Sequence, residues 1–133
     1  MGFGGPAIVC LCGSTRFADE FNQEAERLTL EGSIVVRPEV VTYSRDNDPQ
    51  HHDPDVKRRL DELHLRKIDL AESVFVLNVG GYIGESTQNE VAYALATGTR
   101  VNFLEPKLGE DWLESHSHEI GQQVARHALE GQR

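Results

Sequence analysis

The stretch from Val74 to Leu104 constrains the fold most, because it reads strand, glycine-rich turn, helix, strand. VFVLNV (74–79) is an unbroken apolar run of strand length. GGYIGES (80–86) suits neither helix nor strand, TQNEVAYALATG (87–98) reads as a helix closed by a glycine, and RVNFLE (100–105) is a further strand. Two strands joined through a helix cannot make a hairpin. They pair in parallel through a right-handed crossover, with both sheet faces covered.

The rest of the chain repeats this grammar. AIVCLC (7–12) is a buried strand, Gly13-Ser14-Thr15 turns the chain, and Phe17, Phe21, Ala25 and Leu28 form the apolar stripe of a helix stopped at Gly32. SIVVRPEVV (33–41) supplies the second strand, with Pro38 ending it or marking an edge. Asp53 and Pro54 open the next helix as cap and first residue. Val56, Leu60, Leu63, Ile68 and Ala71 make its buried stripe, His64 borders that stripe, and Lys57, Arg58, Arg59, Glu62 and Arg66 face solvent. After the strand 100–105 the chain leaves the sheet at Pro106–Gly109. Trp112 anchors that connection, and Ile120, Val124 and Ala128 face inward from a last helix, with His127 nearby. The expectation is one domain of 133 residues. Its fold class is α/β, a Rossmann-like or flavodoxin-like three-layer sandwich on a four- or five-stranded parallel sheet, with strand order 2-1-3-4.

A net charge of −9 argues against nucleic acid polymers and anionic membranes, which are met by clustered Lys and Arg. The chain lacks an apolar run of roughly 18 residues and a signal-type start, so a cytoplasmic location is expected. Cys10 and Cys12 lie two apart on a strand, which puts both on one face in poor geometry for a mutual disulfide, and they read as buried thiols. The run 42–54 holds Asp46, Asp48, His51, His52 and Asp53 without the spacing that fixes metal ligands, so it reads as a lid over a site. Neither metal nor organic cofactor is expected.

Open parallel sheets bind ligands beyond the carboxyl ends of their strands. Two turns lie there. In the first, Ser14 and Thr15 can cap the helix or contact phosphate, and Arg16 can pair with phosphate or be solvated. In the second, Thr87 and Glu90 have capping-box spacing, and Glu90 can alternatively be a carboxylate kept ionised in a first helical turn. His64 is either a satisfied semi-buried histidine or a site residue, and Lys67 and Asp69 are surface charge or site residues.

Taken together, Cys12-Gly13-Ser14-Thr15-Arg16 and Gly84-Glu85-Ser86-Thr87-x-x-Glu90-x-x-Tyr93-Ala94 resemble the nucleoside 2-deoxyribosyltransferase superfamily over roughly Ile8 to Glu105. In motif they are most similar to its 2′-deoxynucleoside 5′-monophosphate N-glycosidase branch. The resemblance implies that Glu90 attacks C1′ of a ribosyl or deoxyribosyl group, and that water or a second base then resolves the glycosyl ester. It implies phosphate contacts from Ser14, Arg16 and Ser86, in a cradle completed by Gly13, Thr15, Gly81, Tyr82, Gly84 and Thr87. It also implies a homodimer or larger homo-oligomer. Relatives carry an aspartate two turns before the third strand, where this chain has His64 or Leu65, so His64, Asp61 or Asp69 would take that role. Small nucleosides or nucleotides are thus the expected ligands. A non-catalytic nucleotide-binding or sensing module, or an oligomeric domain with Glu90 as a cap, are the other readings.

Overall fold

The computed structural model describes residues 5–38 and 54–131. Asp46, Asp48, His51, His52 and Asp53, with the lid they were expected to form, lie outside the described residues. In chain order the elements are β1 (Ile8–Cys12), a 3-10 turn (Thr15–Phe17), α1 (Ala18–Leu30), β2 (Ile34–Val36), α2 (Pro54–Leu70) and β3 (Ser73–Val76). A second 3-10 turn (Val79–Gly81), α3 (Glu85–Ala96), β4 (Arg100–Phe103), α4 (Pro106–Ser115) and α5 (Ser117–Glu130) follow.

The four strands form one sheet of order β2-β1-β3-β4, and every pairing is parallel. The architecture is therefore α/β, a Rossmann- or flavodoxin-like three-layer arrangement with four strands among the described residues. Alternation along β1 divides the core in two. Val9 and Leu11 pack with Phe21 and Leu77 on the face covered by α1. Cys10 and Cys12 point to the other face, where Ile68 of α2, Val91 of α3 and Ile120 of α5 meet Val74 and Val76. Both cysteines are free and buried.

Several local expectations change, and Ala128, expected to face inward from the last helix, is exposed. Leu63 was placed in the buried stripe of α2 but is 56% exposed, because His64 and Ile68 face the sheet and rotate Leu63 outward. The chain after Glu105 does more than leave the sheet: Pro106 starts α4 at a first-turn position where its missing N–H costs nothing. Gly109 lets α4 close on β4, since a Cβ there would run into the Phe103 ring, and Trp112 meets the same ring edge-on at 6.4 Å. Finally, α3 begins at Glu85 rather than Thr87, with consequences for Glu90 described below. No helix among the described residues is long and apolar enough to cross a membrane.

Candidate active site

Because parallel strands all end on the same side, the turns after β1 and β3 meet at one edge of the sheet, and α2 crosses beside them. A cavity of about 360 Å³ lies there. The first turn contributes Gly13, Ser14 and Thr15, α2 contributes Lys57, Asp61, His64 and Lys67, and the second turn with α3 contributes Tyr82, Gly84, Ser86, Thr87 and Glu90.

Both turns are held by the backbone. Leu77 N donates to Cys12 O at 2.8 Å, keeping the two strand ends level, and a Cβ on Gly13 would press to 3.2 Å from that of Leu77. Ser14 Oγ accepts from Arg16 N at 3.3 Å. After β3, the buried Asn78 amide donates to Glu105 O at 3.0 Å and accepts from Glu105 N at 2.9 Å. The Glu105 carboxylate in turn accepts from Gly80 N at 2.6 Å. Gly80 and Gly81 take φ of 63° and 89°, a turn that side chains with a Cβ adopt poorly.

Two expected cradle residues support the cavity from outside it. Arg16 does not line it: the guanidinium lies 4.2 Å from the centre of the Tyr82 ring and donates to Tyr82 Oη at 3.4 Å. Gly81 packs against Leu108 of α4 behind the turn.

Glu90 sits differently from either sequence reading. Gly84 is the N-cap of α3, with no side-chain cap bond, so Thr87 is a buried first-turn residue and the Thr87–Glu90 capping box does not form. Ser86 and Glu85 fit the first turn of a helix, where N–H groups have no intrahelical partner, and this lengthens α3 at its start. Glu90 thereby falls in the second turn, beyond the reach of most of the helix-terminal field. Its carboxyl is raised to about 7, chiefly by burial, against the opposing influence of His64. Oε1 is buried without a hydrogen-bond partner among the described residues.

His64 is the nearest polar neighbour, with Nε2 3.6 Å from Glu90 Oε1. It is 4% exposed and faces the sheet rather than bordering an apolar stripe. Nε2 lies 3.8 Å from Cys10 Sγ and 3.4 Å from Cys12 Sγ. Burial pushes the imidazole down, but contact with Cys10 and the charge of Glu90 outweigh it, and its pKa is raised. The two thiols split: Cys10 is lowered to about 6 by its contact with Cys12 and by His64, while Cys12 is raised by Cys10, by burial and by Glu90.

Asp69 is not brought to this cavity. It accepts from Tyr93 Oη at 2.6 Å and pairs with Arg66 at 3.0 Å on the far end of α2. Asp61 lines the cavity instead, paired with Lys57 at 2.9 Å, and Lys57 also approaches Ser86 Oγ at 3.4 Å. Lys67 lines it too, and donates to Arg37 O at 2.7 Å. Lys57, Asp61, His64 and Lys67 follow spacings of four, three and three, the period of one helix face, and that period was the available signal for the two lysines.

Neither family models, nor curated proteins, nor solved structures yielded a match to this chain.

Proposed function

We propose that this chain cleaves the N-glycosidic bond of a small nucleoside or nucleoside 5′-monophosphate, with Glu90 as nucleophile. The observation that carries the reading is the position of Glu90, a carboxylate with an unpartnered oxygen on a cavity at the carboxyl ends of β1 and β3. Hydroxyls of Ser14, Thr15 and Ser86, the uncapped start of α3 and the Lys57 ammonium border the same space and would receive the sugar and phosphate.

In the reaction the ionised Glu90 attacks C1′ as the bond to the base breaks, giving a glycosyl ester and a departing base. Water or a second base then attacks C1′ and frees the carboxylate. Burial makes the carboxylate a better nucleophile once ionised, since little water solvates it. Asp61, the α2 carboxylate on the cavity, would contact the sugar or base, and His64, turned towards the thiols, would position Glu90.

A non-catalytic nucleotide-binding module is the second reading. Its support is the absence of Asp69 from the cavity and the rise of the Glu90 carboxyl to about 7, which leaves much of it protonated near neutrality. Chromatographic detection of free base from a panel of nucleosides and 5′-monophosphates, with and without an acceptor base, decides between them. Release by wild type and not by Glu90→Gln is expected. Silence across the panel with measurable monophosphate binding would replace the enzyme with the binding module.

A further inference from the structure

β1 and α2 bring two thiols and one imidazole to a single buried point, and glycosidic chemistry leaves both thiols unused. Cys10 and Cys12 share the face of β1 that α2 covers, and both are 0% exposed. His64 Nε2 faces both sulfurs, at 3.8 and 3.4 Å, and the three donor atoms lie within 4.8 Å of one another. One ring nitrogen satisfies one thiol well, and Cys10 Sγ also reaches Leu11 O at 3.8 Å, so both sulfurs hold only long contacts around one imidazole. Tetrahedral zinc, with sulfur at about 2.3 Å and nitrogen at about 2.0 Å, spaces those two donors about 3.5 Å apart. The observed separations fall on either side of that edge length. Glu90 Oε1 lies 3.6 Å from the same Nε2, with no hydrogen-bond partner among the described residues.

We infer that Cys10, Cys12 and His64 form a three-ligand site for a borderline-soft divalent metal, zinc by its donor set, with the fourth position on the Glu90 side. His64 and Glu90 both line the cavity, which gives the ion a route to the otherwise enclosed sulfurs. Binding displaces two protons to solvent, one from the Cys12 thiol and one held between Cys10 and His64, and His64 coordinates through Nε2 as the neutral ring protonated on Nδ1. The dication is then balanced by two thiolates, and a buried charge is paired rather than exposed. Three protein ligands with one open position is the arrangement of metal sites that accept water or substrate, whereas structural zinc is closed by four. The site does not depend on the glycosidic reading.

The test uses the full chain, reduced and freed of metal with a chelator, then titrated with zinc or cobalt(II) against a competing chelator. Elemental analysis should find one ion per chain. The cobalt form should show a near-ultraviolet thiolate charge-transfer band, which can come only from Cys10 and Cys12 because the chain holds two cysteines. Wild type alone decides the matter, so a poorly folding core variant cannot obscure it. His64→Ala, with its fold checked by circular dichroism, should weaken binding by more than the roughly 100-fold that losing a mere supporting partner can cost. No retained ion, or cobalt bound without the thiolate band, overturns the site. Base release is scored separately: metal binding without turnover leaves this site standing, and turnover without metal removes only this site.

Discussion

His64 Nε2 stands 3.6 Å from Glu90 Oε1, and neither the start of α3 nor any other described residue offers that oxygen a hydrogen bond. Proteins keep such unsatisfied carboxylates where function requires them, and stability suffers for it. Glu90→Gln keeps the shape and removes the charge. Base release should fall to background, while thermal unfolding at pH 8 should show a gain of roughly 1 kcal/mol, since the amide escapes the cost of a buried anion. A variant that is less stable and still active would contradict both parts.

Asn78 is fully buried and its amide holds Glu105 through two backbone hydrogen bonds. Asn78→Ala strands the Glu105 N–H, leaves the Glu105 C=O with Gly109 N as its remaining donor, and loosens the carboxylate that receives Gly80 N. Each unsatisfied buried group costs about 1–3 kcal/mol. Urea unfolding should register a loss of about 2 kcal/mol or more, and a loss below about 0.5 kcal/mol would show that Asn78 does not hold the turn.

The strand–turn–helix rhythm made the sheet order legible, because continuous apolar runs such as 7–12 and 74–79 have few alternatives once joined by helices. Less legible were features set by contacts across the chain. Thr87-x-x-Glu90 has the spacing of a capping box, yet the true start of α3 is decided by Gly84 and by the turn that Asn78 and Glu105 hold together. Leu63 and His64 are neighbours in sequence, and only packing against Cys10 and Cys12 decides which of them turns inward. The convergence of those cysteines with His64 spans more than fifty residues, and no local pattern announces it.

Asp69, a catalytic candidate from sequence, accepts a hydrogen bond from Tyr93 Oη. Burial first, and then this bond, raise the Tyr93 phenol to about 12. The folded protein therefore holds the phenolic proton more tightly than the unfolded chain. The resulting stability is complete below pH 10 and is lost as pH rises from about 10 through about 12. A phenolate absorbance titration should show one tyrosine ionising late, and Asp69→Asn should shift that tyrosine towards 10. An unchanged titration would mean that Asp69 does not govern Tyr93.

Lys57 bridges α2 to the start of α3, 2.9 Å from Asp61 and 3.4 Å from Ser86 Oγ. If the cavity receives a 5′-phosphate, Lys57 is the ammonium that meets it beside the uncapped helix, and a neutral nucleoside gains little from that charge. Lys57→Met should therefore raise KM for a 5′-monophosphate about tenfold, a loss of about 1.4 kcal/mol for a partly exposed charge-assisted contact, with KM for the matching nucleoside nearly unchanged. The comparison uses one base and one sugar with and without phosphate, so effects on Asp61 appear in both substrates and cancel. An equal loss for both would place the phosphate elsewhere or exclude it from the site.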